Sequence, residues 1–175
     1  MMKQLLLLIM IISVSSCATY QVPDSPPLES NQTWLLMPFE NNSNRPLASE
    51  NAEQILAALL FAQGVKIETY PKSKITDLKS ILDLSSRDKN AKQWLSRENG
   101  KYIISGSVDE WQYKSGLDGE PAVGVTLILT DRTSDEVLWR ATGTRSGWGR
   151  ESLSGTGQIV LQELIDGLDI NEDDD

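Results

Sequence analysis

The 175-residue chain contains no histidine. That removes Ser-His-Asp and Cys-His nucleophile relays, imidazole acid–base chemistry and histidine metal ligation together. It has a single cysteine, Cys17. No disulfide can form within one chain, so the fold has to rest on an ordinary hydrophobic core. Positive charge is scarce: 16 Lys and Arg stand against 25 Asp and Glu, a net charge of −9. No nucleic-acid partner is expected on that balance, since binding phosphates needs a basic face. Long apolar runs are missing too. The one uninterrupted stretch, Leu5 to Ile12, falls far short of the about 20 residues a membrane-spanning helix needs.

That short stretch has a meaning in its context. Lys3 supplies a positive charge before it, and Val14-Ser15-Ser16 supply small residues after it, directly ahead of Cys17. A charged start, a short apolar core and a small-residue exit make a secretory signal peptide. Val14-Ser15-Ser16-Cys17 resembles the bacterial lipobox, whose cysteine becomes the acylated first residue of the mature protein. The expectation is a signal peptide over 1–16 and a lipid anchor on Cys17, where several alkyl chains give stable attachment. Ala18, not Asp, follows the cysteine. That resembles an outer-membrane address and puts the chain on the periplasmic face. Residues 17–32 include Pro23, Pro26 and Pro27 and few apolar side chains; they read as a flexible lipidated tether.

Residues 33–168 read as one domain. Thr33 to Phe39 is a short apolar run, expected as a buried strand, and Glu40 to Pro46 as a loop. Leu47 to Gln63 spaces its apolar residues on one helix face, with Gly64 as the stop. Val65 to Tyr70 alternates as a strand. Lys74 to Leu84 and Asp88 to Asn99 read as two helices, and Lys101 to Tyr113 as a long strand. Asp118-Gly119 signals a hairpin into a strand over 122–130, and a second polar turn leads to a strand over 136–143. Ser152 to Leu168 has helical spacing, and 169–175 is an acidic tail. The order β-α-β-α-α-β-β-β-α implies an α/β (α+β) domain. Its mixed sheet has about five strands, with helices packed on its faces.

Two stretches carry a family likeness. The strand Trp34-Leu35-Leu36-Met37-Pro38-Phe39 running into a helix, with Gly100-Lys101-Tyr102-Ile103-Ile104-Ser105-Gly106-Ser107-Val108 further on, looks like the periplasmic α/β domain of CsgG and of the TolB N-terminus. Val108 to Leu127, with Val137-Leu138-Trp139-Arg140 and Arg145-Ser146-Gly147-Trp148-Gly149-Arg150, resembles the PelC lipoproteins of the Pel exopolysaccharide system more closely. The resemblance implies a non-enzymatic outer-membrane lipoprotein that forms a periplasmic ring, a dodecamer, beneath the PelB barrel. The ring has an acidic funnel that guides a cationic polysaccharide to the exit pore. A resemblance to CsgG or TolB alone would imply an envelope assembly lipoprotein that binds protein. No cofactor and no metal is implied by either.

Several side chains are candidates for these tasks. Asp109, Glu110, Asp118 and Glu120 cluster in one strand and hairpin. They can line an acidic funnel, pair with Arg140, Arg145 or Arg150 of a neighbouring subunit, or serve a glycosidase, which would need a fixed carboxylate pair. Trp148, between two glycines, can sit at lipid headgroup level or cap a helix in the core. Trp111 and Tyr113 are expected on the same outward face as Asp109, for a subunit contact or sugar stacking, with core packing as the alternative. Trp34, Trp94 and Trp139 are expected in the core.

Overall fold

A computed structural model of the chain describes residues 17–71, 84–115 and 119–171. In order, the elements are β1 (Ala18–Gln21), β2 (Leu28–Glu29), β3 (Thr33–Leu36), β4 (Glu40–Asn41), α1 (Ala48–Ala62), β5 (Lys66–Thr69) and α2 (Leu84–Leu95). After them come β6 (Tyr102–Tyr113), β7 (Pro121–Asp131), β8 (Val137–Ser146), α3 (Leu153–Ile165) and β9 (Ile170–Asn171). The mixed sheet runs β1-β8-β7-β6-β3-β5 in space, with β4 also on β6. β3 pairs parallel with both β5 and β6, and β6, β7 and β8 form the expected antiparallel meander. The mixed α/β class is therefore as expected, but among the described residues the sheet has seven strands where about five were expected. β4 falls where a loop was expected and β1 where a tether was expected. The expected helix over 74–84 lies almost wholly outside the described residues.

One face of the sheet holds the core. Trp34 and Leu36 of β3, Tyr102, Ile104 and Val108 of β6, Val125, Leu127 and Leu129 of β7, and Trp139 and Ala141 of β8 are buried there. The alternation along each strand selects them, since every second side chain points to the same face. α1 contributes Ala52, Leu56 and Leu60, and α3 contributes Val160, Leu161 and Leu164. Gly64 takes a left-handed φ of +80° as α1 stops, and Val65 N–H then donates to Leu60 O at 3.1 Å. Ser152 caps α3, its hydroxyl accepting from Gly155 N–H at 3.0 Å.

The expected placement of Trp111 is corrected. Pairing runs Val108↔Val125 and then Glu110↔Gly124, so Asp109 is an extra residue in β6, a β-bulge. The bulge resets the alternation. Val108 and Trp111 both turn into the core, and Trp111 is only 1% exposed. It is not available to a membrane or to a sugar ring. Its indole lies against Gly157 of α3, where an added Cβ would come within 2.3 Å of the Trp111 ring. Trp34 and Trp139 are buried as expected, while Trp94 is half-buried, its ring edge-on to Tyr70.

The flexible tether over 17–32 is also corrected. β1 pairs antiparallel with β8, from Ala18↔Arg145 to Gln21↔Thr142. Trp139 Nε1 donates to Pro23 O at 2.6 Å, and Ser25 N–H donates to Gly167 O at 2.9 Å. Leu28 is buried in the core, and β2 pairs with β9. The prolines stand where no ladder donor is needed, while the residues between them bond the domain. β9 takes the first part of the expected acidic tail; 172–175 lie outside the described residues.

Gly157→Ala should therefore destabilise the fold by about 1–3 kcal/mol through overpacking against Trp111, less about 1 kcal/mol of gained helix propensity. Chemical denaturation of the two proteins, compared at equal m-value, measures the difference.

Candidate functional site

The site is assembled at one end of the sheet and on the face opposite the core. At the end, Ser146 N–H donates to Cys17 O at 3.0 Å. Cys17 is exposed and lies one residue ahead of edge strand β1. The chain leaves β8 there into the turn 147–150. Trp148, in that turn, is 51% exposed and is followed by exposed Gly149 and Arg150. The cysteine and the exposed tryptophan thus share one end of the domain. Tyr113 lies near it, 47% exposed, with its hydroxyl accepting from Leu153 N–H at 3.1 Å at the start of α3. No helix among the described residues is long and apolar enough to cross a membrane.

The turn is held by a two-pronged ion pair. Arg145 Nη1 and Nη2 donate to Glu151 Oε2 and Oε1 at 2.8 and 3.1 Å. Glu151 Oε2 also accepts from Thr156 Oγ1 at 3.3 Å, and Glu151 N–H donates to Trp148 O at 2.8 Å. Arg145 was a candidate for a neighbour's carboxylate; here its charge is answered within its own chain. The hydrogen bonds from Arg145 hold the Glu151 carboxyl below its ordinary value, against a smaller opposing effect of burial. Arg140 and Arg150 are both exposed. Arg140 borders a broad hollow of about 630 Å³ with Gln21, Thr126 and Thr142.

The acidic candidates are not all brought together. The bulge turns Asp109 away from the core, where it accepts from Asn42 Nδ2 at 3.0 Å, Ser107 Oγ at 3.1 Å and Thr126 Oγ1 at 3.3 Å. Thr126 Oγ1 also lies 3.0 Å from Thr142 Oγ1. Glu110 follows on the same open face, accepting from Gln112 Nε2 at 3.1 Å. Regular alternation would have split these two carboxylates between opposite faces; the bulge keeps both outside. Glu120 is exposed at the hairpin, its carbonyl accepting from Lys114 N–H at 2.7 Å. Asp118 lies outside the described residues. No group of three or more Cys, Asp or Glu side chains among the described residues is arranged to hold a metal ion.

One charged cluster had no sequence signal. Arg87 of α2 bonds both carboxylate oxygens of Glu53 on α1, at 2.7 and 2.8 Å, and lies 3.4 Å from Glu50. Glu53 Oε1 also accepts from Phe39 N–H at 2.8 Å. Burial pushes the Glu53 carboxyl above its ordinary value, and Arg87 and the Phe39 N–H pull it back only in part. Helical periodicity places Glu53 near the buried face, but nothing in the sequence names its distant partner. The pair ties α2 to the body of the domain.

Two expectations follow. Arg87→Met leaves a nearly buried carboxylate unpaired and should cost on the order of 3 kcal/mol in denaturation. Glu151 has a folded-state pKa below its unfolded value, so its contribution is complete above the ordinary carboxylate range and is lost as pH falls through the depressed value. Glu151→Gln should flatten the acid-side fall in Tm, and the two Tm–pH curves should converge at low pH.

No protein-family model and no curated protein sequence matches the chain. Solved structures do. A PelC dodecamer from Paraburkholderia phytofirmans, in space group P6, is 31% identical over 89% of this chain and 100% of that one, with a TM-score of 0.73. A single-residue variant of that PelC, also a dodecamer, is 31% identical over 86% and 97% of the two chains, with a TM-score of 0.70. The lipoprotein GNA1162 from Neisseria meningitidis is 14% identical with a TM-score of 0.55, covering 77% of this chain and 95% of that one, a likeness of fold alone. With that identity spanning the whole of a PelC chain, this protein belongs to the PelC family.

Proposed function

We propose that the chain is a non-catalytic subunit of a homo-oligomeric ring. It is lipid-anchored at Cys17 to the periplasmic face of the outer membrane and guides a cationic exopolysaccharide, Pel, toward an outer-membrane barrel of the PelB kind. The observation that carries this reading is the kinship, along its full length, with a PelC that assembles as a dodecamer. The charge fits the task. The full sequence carries −9, and loss of Lys3 with the signal peptide makes each mature subunit more negative; a ring concentrates the charge of all its copies around one opening, where low-dielectric walls focus the field. Asp109 and Glu110 stand together on the open face, and Glu120 at the exposed hairpin adds to them. Arg140 and Arg150, both exposed, are available to meet a neighbouring subunit. The partner at the anchored end is lipid: acyl chains on Cys17 supply the affinity, and Trp148, exposed at the same end, suits a position at headgroup level.

In detergent, light scattering on the mature chain should give a mass near twelve copies; a monomer at high concentration overturns the reading. Partly deacetylated polymer should bind the assembled protein, and added salt should weaken it. Removing carboxylates by Asp109→Asn or Glu110→Gln should weaken binding about two- to fivefold each, the range of partly solvated charge pairs. Fully acetylated polymer should bind far less.

A further inference from the structure

Next to Cys17 the open face of the sheet carries a hollow that shares Glu110 with the polymer-guiding face and is otherwise lined by residues that role does not use. Its volume is about 410 Å³, and Cys17, Thr19, Glu110, Lys114, Thr144 and Ser146 are among the residues around it. Its floor follows from the strand register. Glu110, Gly124, Thr144 and Thr19 lie in one rung across β6, β7, β8 and β1, and Gln112, Ala122 and Ser146 lie in the next rung on the same face. The two middle residues are the smallest available. An added Cβ at Gly124 would come within 3.2 Å of Thr144 Cγ2 and 3.4 Å of Glu110 Cβ, so any side chain there would fill the space.

The walls carry opposite charges at separate points. Glu110 stands on the first rung. Lys114 reaches across β7, and its Nζ donates to Ser146 Oγ at 2.5 Å on β8. The rungs are two residues, about 7 Å, apart along the strands. Thr144 stands between the carboxylate and edge strand β1, which carries Thr19. A ligand that suits this layout has an anion for the ammonium and the hydroxyls, and close to it a small cation able to donate hydrogen bonds to the carboxylate.

We propose that this hollow binds the headgroup of a phosphoethanolamine lipid, with the phosphate at Lys114 and Ser146 and the primary ammonium at Glu110. The neighbouring anchor supplies the geometry. Ser146 both fixes the Cys17 carbonyl and receives Lys114, so acyl chains on Cys17 would enter the bilayer beside the hollow and bring headgroups to it. That step rests on the lipid-anchored reading; the charge pattern of the hollow does not. A quaternary choline lacks N–H groups to give Glu110, and a glycerol headgroup lacks the cation.

The test uses the mature chain in two forms. Without acylation, it is titrated with glycerophosphoethanolamine and, separately, with glycerophosphocholine while the amide signals of Thr144, Ser146 and Glu110 are followed by NMR. Saturable shifts at these amides are expected, with affinity at least tenfold higher for the ethanolamine compound. Glu110→Gln should erase that preference and Lys114→Gln should weaken both ligands. Equal binding of the two compounds, or no shift at these amides, overturns the proposal. In the second form, the acylated chain is bound to vesicles of phosphatidylcholine with or without phosphatidylethanolamine, and intensities of the same amides are compared. A chain found without acyl groups in cells removes the anchor while leaving the first result standing. Acylation with no response to phosphatidylethanolamine overturns the site while leaving the anchor standing.

Discussion

The contact between Trp111 and Gly157 is the constraint on which the arrangement of this domain depends. A tryptophan ring reaches α3 only because β6 gains a residue at Asp109, and α3 receives it only because position 157 has no side chain. The same extra residue fixes the chemistry of the other face. With alternation reset, Asp109 and Glu110 stand on the same side, away from the core. One irregularity therefore supplies both an aromatic contact between helix and sheet and a pair of carboxylates on the open face. Bulges sharpen twist and re-aim side chains, and here the two effects serve packing and surface charge at once.

The second organising feature is the use of the leader as structure. β1 covers the β8 edge, Trp139 is hydrogen-bonded to Pro23, and Leu28 enters the core while β2 meets β9. The two ends of the described chain are thus joined to each other and to the sheet. An open β8 edge would present unpaired backbone groups, the usual starting point for unwanted strand pairing. Using the residues after Cys17 to close that edge protects it and leaves Cys17 directly beside the sheet.

Much of this was legible in the sequence. Apolar alternation in β7 and β8, the glycine stop after α1 and the helical spacing of α3 reflect local rules, and the structure follows them. So does the parallel crossover from β3 through α1 to β5. What escaped was set by distant partners. Strict alternation along β6 would turn Trp111 outward, but the strand contains a bulge that no local residue marks. The leader looked loose because three prolines suggest an extended tether, whereas its bonds go to Gly167, Asp169 and Trp139. Arg87 and Glu53 meet only when α2 docks. Arg145 and Glu151 were close enough in sequence to be paired by eye; their bidentate geometry depends on how the 147–150 turn folds back.

Because β1 begins one residue after Cys17, there is almost no free chain between that cysteine and folded backbone. A tethered body with a long leader can swing and sample many heights above a bilayer. With lipid on Cys17, this one would have little such freedom, because the sheet starts at the next residue and would hold the body close to the bilayer. Assemblies of identical copies would share a single stand-off, and lifting any member would require peeling β1 from β8.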